Sequence, residues 1–228
     1  MIYLTLKEQE KNKQMNKTFN NIIWDWNGTL LDDAWLGVEI MDSILKSRNL
    51  PALNLEKYRN LFDFPVKDYY AKLGFDFSKE PFEVIGQEFI LKYNERHFEC
   101  KLKAFAFDCL EKFQNSGVKQ FVLSARNHNQ LEHEFKFHKI DHFFEDFAGL
   151  PDNWANGKVE LGMELIRSQH IIPQETLMIG DTVHDFEVAL KLGVECVLVE
   201  GGHQSVKKLN NTNAKVFGDL SLIWSSIF

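Results

Sequence analysis

Three aspartates and a serine stand where side chains of their type could do chemistry, each just beyond a short apolar run. Asp25 follows Asn21-Ile22-Ile23-Trp24, and Ser124 closes Lys119-Gln120-Phe121-Val122-Leu123. After Glu175-Thr176-Leu177-Met178-Ile179 comes Gly180-Asp181-Thr182-Val183-His184-Asp185, which sets a third carboxylate four residues past the second. If the three runs are parallel strands of one sheet, their carboxyl ends share a rim, the place where ligands of open parallel sheets bind. Carboxylates gathered that closely repel one another and ionise together only around a hard cation. Oxygen donors without cysteine or clustered histidine select Mg²⁺ over Zn²⁺. A Mg²⁺ ion held on one side by protein completes its shell with phosphate oxygens.

The elements that must position these residues are legible as periodicity. The strand-like runs 21–26, 119–124, 175–179 and 195–199 alternate with helical patterns around 129–138, 158–170 and 185–192, the last ending at Gly193, a helix C-cap residue. Apolar strands alternating with amphipathic helices predict an α/β fold, a Rossmann-like doubly wound parallel sheet with helices on both faces. Residues 33–103 break the alternation. Leu36, Ile40, Met41, Ile44 and Leu45 mark one helix face, and Phe82, Val84, Ile85, Phe89 and Ile90 another. This stretch is expected to be an inserted helical cap domain, with the core formed by residues 19–32 and 104–228. Residues 1–18, polar and Lys-rich, are expected to be a flexible N-terminal tail, with Met15 as a possible functional start.

Composition narrows the partners. The net charge of −7 argues against nucleic acid or an anionic membrane surface. Three cysteines without CxxC spacing suit free thiols in a reducing compartment, and no run approaches the ~18 apolar residues of a membrane span, so a cytoplasmic enzyme is expected. The 20 Phe residues read as packing. An anionic substrate, such as a small phosphorylated metabolite, therefore needs a metal ion or a few placed cations.

Four ordered motifs add a resemblance. Asp25-Trp26-Asn27-Gly28-Thr29 resembles the first motif of the haloacid dehalogenase superfamily, usually DxDGT; Ser124 resembles the second. Lys158, after Asn156-Gly157, resembles the third, and the Gly180 to Asp185 segment the fourth, GDxxxD. The helical insert resembles the first-position cap of phosphoglycolate-phosphatase-like members. The resemblance implies a phosphoric monoester hydrolase. Asp25 would attack phosphorus to form an aspartyl phosphate that water then cleaves, and Mg²⁺ would be held by Asp25, the Asn27 carbonyl, Asp181 and Asp185. Ser124, the Ala125 N–H and Lys158 would hold the phosphate oxygens.

One residue departs from the pattern. Family phosphatases carry an acid/base aspartate where this chain has Asn27, and general acid–base catalysis is worth about 10²–10⁴ in rate. Three readings follow: a phosphatase acting on good leaving groups or using His184 or water instead; a phosphonatase-like enzyme with a Schiff base on Lys57 or Lys67; or a feebly active phosphate-binding or regulatory module. The remaining polar residues read as ordinary: Asp32 and Asp33 as helix caps, Arg126 as a surface residue, His184 as a solvated loop histidine, and Arg59, Tyr69, Tyr70 and Arg96 as plain helix faces.

Overall fold

The computed structural model describes residues 19–150 and 157–227; the expected tail and Asn156 lie outside them. The first run forms strand β1 (Asn21–Trp24), and a second, very short strand, β2 (Leu31–Asp32), leads out of the core. Four helices follow: α1 (Ala34–Ser47), α2 (Leu55–Leu61), α3 (Val66–Leu73) and α4 (Phe82–Arg96). Strand β3 (Lys101–Leu102) returns the chain beside β2, the two pairing antiparallel through Leu31–Leu102 and Asp32–Lys101. Helix α5 (Ala106–Asn115), β4 (Lys119–Asn127), α6 (His128–His138), β5 (Asp146–Leu150), α7 (Lys158–Ser168), β6 (Thr176–Gly180), α8 (Val183–Leu192) and β7 (Glu195–Val199) then alternate. Helix α9 (Val206–Leu209), β8 (Lys215–Phe217) and α10 (Ser221–Ile227) complete the described chain.

The six core strands form one parallel sheet in the order β5-β4-β1-β6-β7-β8, the doubly wound arrangement expected. Strands β5 and β8 were not anticipated. Asp146–Leu150 is only partly buried along its first three residues and Lys215–Phe217 is three residues long, so neither carries the unbroken apolar run of a central strand. Side chains alternate across the sheet as the period of two requires. Ile22, Trp24, Val122 and Ile179 pack on one face with Phe113 of α5 and Phe135 of α6. Ile23, Leu123, Met178 and Leu198 pack on the other with Leu165 of α7 and Val188 of α8.

Register fixes the rim. Trp24 pairs with Val122 on one side and Ile179 on the other. Asp25 follows Trp24 directly, and Ser124 and Asp181 each stand two residues past its partners Val122 and Ile179, so the three emerge within one residue of each other at the carboxyl ends of adjacent strands; Asp25 N donates to Ile179 O at 2.8 Å. Helix α8 ends at Gly193 in the left-handed region (φ 71°), the cap the sequence calls for. Within the helical segment, Arg48 at the end of α1 donates through Nε to Glu80 (2.6 Å) and through Nη2 to Glu88 of α4 (2.8 Å), tying its layers together.

Candidate active site

Asp25, Asp181 and Asp185 are all buried, and each offers a carboxylate oxygen within 4.8 Å of the others. Lys158, the first residue of α7, stands among them, its Nζ 2.6 Å from Asp25 Oδ1 and 2.6 Å from Asp185 Oδ1. Thr29 Oγ1 lies 3.0 Å from Asp181 Oδ1 and 3.3 Å from Asp25 Oδ2. Asp185 does double duty: its Oδ2 accepts from the Thr182 N–H and hydroxyl in the capping box that starts α8, leaving Oδ1 for Lys158. Two glycines permit this density. A Cβ on Gly28, where φ is +78°, would lie 2.4 Å from Asp181 Oδ2, and one on Gly202 would lie 2.1 Å from the same atom.

The charges do not balance within the protein. Fully ionised, three carboxylates and one ammonium leave two negative charges in a buried site. Asp185, which gains Lys158 and Thr182 against the cost of burial, is held below the usual carboxylate range. Asp25 is pushed up to about 8, chiefly by burial, with Asp185 and Asp181 adding to the effect and Lys158 opposing it. Asp181 is raised as well, again mainly by burial. Two carboxylates reluctant to ionise, with only oxygen donors around them, fit a hard divalent ion such as Mg²⁺.

Asn27, Ser124, Ala125 and Lys158 line the same cavity as the three aspartates, so the structure brings together the residues expected as nucleophile, metal ligands and phosphate holders. Ser124 is buried and its Oγ accepts from Arg126 N at 3.1 Å. Asn27 is not idle: its Nδ2 donates to Asp33 Oδ2 and Tyr93 OH, both at 2.9 Å.

Several expectations need correction. Asp33 occupies the N-cap position of α1, yet its side chain makes no capping bond. It turns inward, where it accepts from Gly28 N, Tyr93 OH and Asn27 and faces His203 Nε2 at 3.2 Å. Burial opposes its charge, but His203 and these donors hold its carboxyl below the ordinary range. His203 in turn overcomes the cost of burial through Asp33 and is raised to about 9, and its Nδ1 is hydrogen-bonded with Tyr58 OH (2.7 Å). Arg126 is not a surface residue. Its Nε donates to buried Glu134 at 3.0 Å, its Nη1 to Asn94 Oδ1 at 2.8 Å, and its guanidinium sits 4.9 Å from the Tyr93 ring centre. His184 is not a solvated loop residue; it lies in the first turn of α8, lines the cavity and stacks on Phe64 with centroids 4.5 Å apart. Tyr69 and Tyr70 are buried cavity walls, and Arg59 donates to the carbonyls of Gly202 (2.8 Å) and Gly201 (2.6 Å) beyond β7. Arg96 is the ordinary surface residue expected, paired with Glu39 and Glu99. Lys57 and Lys67 are absent from the cavity lining.

Sequence reasoning missed His203, Tyr93 and Glu134, and quoted Thr29 in the first motif without a role. His203 had a signal: Glu200-Gly201-Gly202-His203 follows the fourth apolar run, whose carboxyl end belongs to the same rim. Tyr93 and Glu134 had none, because each sits in an amphipathic helix where a polar residue is unremarkable until packing turns it inward.

A parallel α/β sheet with a buried acidic rim beneath an inserted helical segment defines a class of hydrolytic enzymes, and the comparisons agree. The family model of haloacid dehalogenase-like hydrolases matches residues 22–199, and the chain belongs to that family of hydrolases. It resembles the pyrophosphatase PpaX of Anoxybacillus flavithermus, 24% identical over 172 residues that cover 73% of this chain and 76% of the relative. A haloacid dehalogenase-like hydrolase from Streptococcus pneumoniae superposes with a TM-score of 0.79 at 19% identity, covering 92% of this chain and 99% of its own. A structure from Haemophilus somnus described as a predicted phosphoglycolate phosphatase gives 0.73 at 18%, covering 91% and 97%.

Proposed function

We propose that this protein is a Mg²⁺-dependent phosphatase acting on a small phosphorylated metabolite, with Asp25 as nucleophile. The observation that carries the reading is the buried cluster of Asp25, Asp181, Asp185 and Lys158, two positive charges short of neutrality. Asp25, the Asn27 carbonyl, Asp181 and Asp185 would hold Mg²⁺. The ion supplies charge that offsets the carboxylates and draws the phosphate towards them.

The chain's own residues account for the rest. Asp25 attacks phosphorus; the new Asp25 O–P bond forms as the ester P–O bond breaks, and the leaving oxygen departs with the bonding pair. Water then cleaves the aspartyl phosphate, releasing inorganic phosphate and restoring the carboxylate. Ser124, the Ala125 N–H and Lys158 hold the phosphate oxygens and stabilise the charge that develops on them. Residues 33–103 act as the cap, closed over the rim by Arg59 and by the Lys208 bond to Phe62 O (2.6 Å), and limit the access of bulk water to the reacting phosphoryl group. Three buried thiols, Cys100, Cys109 and Cys196, suit the reducing cytoplasm we assign to it.

With Asn27 engaged by Asp33 and Tyr93, its position offers no proton to the departing oxygen. The enzyme therefore favours leaving groups stable without one, such as acyl, aryl or phosphoryl oxygens. The names of the relatives add pyrophosphate and phosphoglycolate as comparison substrates, the second with an alkoxide leaving oxygen that Asn27 cannot protonate. The absence of Lys57 and Lys67 from the lining disfavours Schiff-base chemistry. Phosphate release from acetyl phosphate with Mg²⁺, lost in Asp25→Asn by at least a thousandfold, is the expected result. Equal release by Asp25→Asn would overturn the assignment.

A further inference from the structure

Above the acidic rim the cavity changes character. Its helical side is walled by rings: Tyr58, Phe62, Phe64, Tyr69, Phe82 and Phe89. None of the nine Lys and Arg residues between 34 and 96 contributes to the lining. Among the described lining residues the basic side chains other than histidine are Lys158 and Arg126. Lys158 stands at the acidic rim between Asp25 and Asp185, beside the transferring phosphoryl group; Arg126 is paired with Glu134 and Asn94, and the His203 imidazole with Asp33. A carboxylate or second phosphate on the leaving group would thus lose hydration with no uncompensated positive charge on the helical side to replace it, which is costly in a largely apolar site. Neutral carbon surface would be received by ring faces and edges. The cavity measures about 230 Å³. An apolar space of ~150 Å³ accommodates benzene, so the remainder leaves room for the transferring phosphoryl group and little else.

We infer that the leaving group is a single neutral aromatic ring, which makes the substrate an aryl or aroyl phosphate; this rests on the phosphatase reading above and narrows it. The rings select by burying the ring's faces, and the uncharged wall rejects anionic leaving groups. Ring burial of this size gives discrimination of tenfold or more, within the range seen when apolar pockets tell substrates apart.

The test pairs leaving groups of similar basicity, so that selectivity reports binding alone. With wild-type protein and Mg²⁺, kcat/KM for benzoyl phosphate should exceed that for acetyl phosphate at least tenfold, and phenyl phosphate should exceed 4-carboxyphenyl phosphate by a similar factor. Phe64→Ala, at a half-buried ring, should lower the benzoyl to acetyl ratio several-fold. In parallel, calorimetry with Mg²⁺ should show benzylphosphonate binding at least tenfold more tightly than ethylphosphonate. Asp25-dependent turnover with ratios near one, or preference for the carboxylated substrate, overturns the ring-selective cavity and leaves the phosphatase intact. No turnover at all overturns the phosphatase. The phosphonate pair then still judges the cavity: equal affinities reject it, and a tenfold preference supports it.

Discussion

At the scale of single residues, the most informative position is Asn27. Its amide donates to Asp33 Oδ2 and to Tyr93 OH, and Asp33 stays ionised beside His203. Asn27→Asp would replace a donor by a second carboxylate facing the first, and like charges so placed raise the introduced group's pKa. The variant should lose about 1–3 kcal/mol, the cost of unmaking a buried polar contact, which lowers Tm by ~2–4 °C per kcal/mol in a chain of this size. Because the introduced carboxyl has a folded-state pKa above its unfolded value, the loss is present at neutral pH and disappears as pH falls towards 4. Thermal melts of both proteins across that range check the sign; a deficit that grows on acidification would refute it. Any rate gain in the variant measures how far Asp33 allows the new group to act as an acid.

At the scale of elements, α6 meets the end of β4 and the turn that follows α4 at Glu134. This 1% exposed carboxylate accepts from Trp26 Nε1 at 2.5 Å and Arg126 Nε at 3.0 Å, with His97 Nδ1 2.7 Å away. Removing one member of a buried charge group strands the others and typically costs ~3–5 kcal/mol. Glu134→Ala should therefore lower the midpoint of urea unfolding sharply, and a midpoint within error of wild type would show that Arg126 finds solvent instead. The same elements show what a sequence discloses. Strand β1, β4, β6 and β7 were legible because buried parallel strands read as unbroken apolar runs, and the rim residues followed from strand ends. Lys158 needed the family motif, since an isolated lysine opening a helix has no distinguishing context. The rings of α2 to α4 were read as packing, although Phe62, Phe64, Phe82 and Phe89 face a cavity, because periodicity distinguishes buried from exposed and not core from pocket.

For the molecule as a whole, the proposed Mg²⁺ site gathers three buried carboxylates around one ammonium. Asp25, raised to about 8 by burial and its acidic neighbours, must release its proton for the ion to bind. Mg²⁺ affinity should rise with pH up to about 8 and then level off, and the Mg²⁺-induced increase in Tm should follow the same course; calorimetric titrations giving one affinity at pH 6 and 8 would contradict this. A last consequence comes from the two-residue ribbon of β2 and β3. Partners in such a ribbon stand ~5 Å apart, so the polypeptide leaves the sheet and rejoins it through a doorway one strand wide, at Leu31–Leu102 and Asp32–Lys101. The insert thus hangs from the core by two adjacent threads, and its length can vary between them while Asp33, at the threshold, keeps its hold on Gly28 N and Asn27.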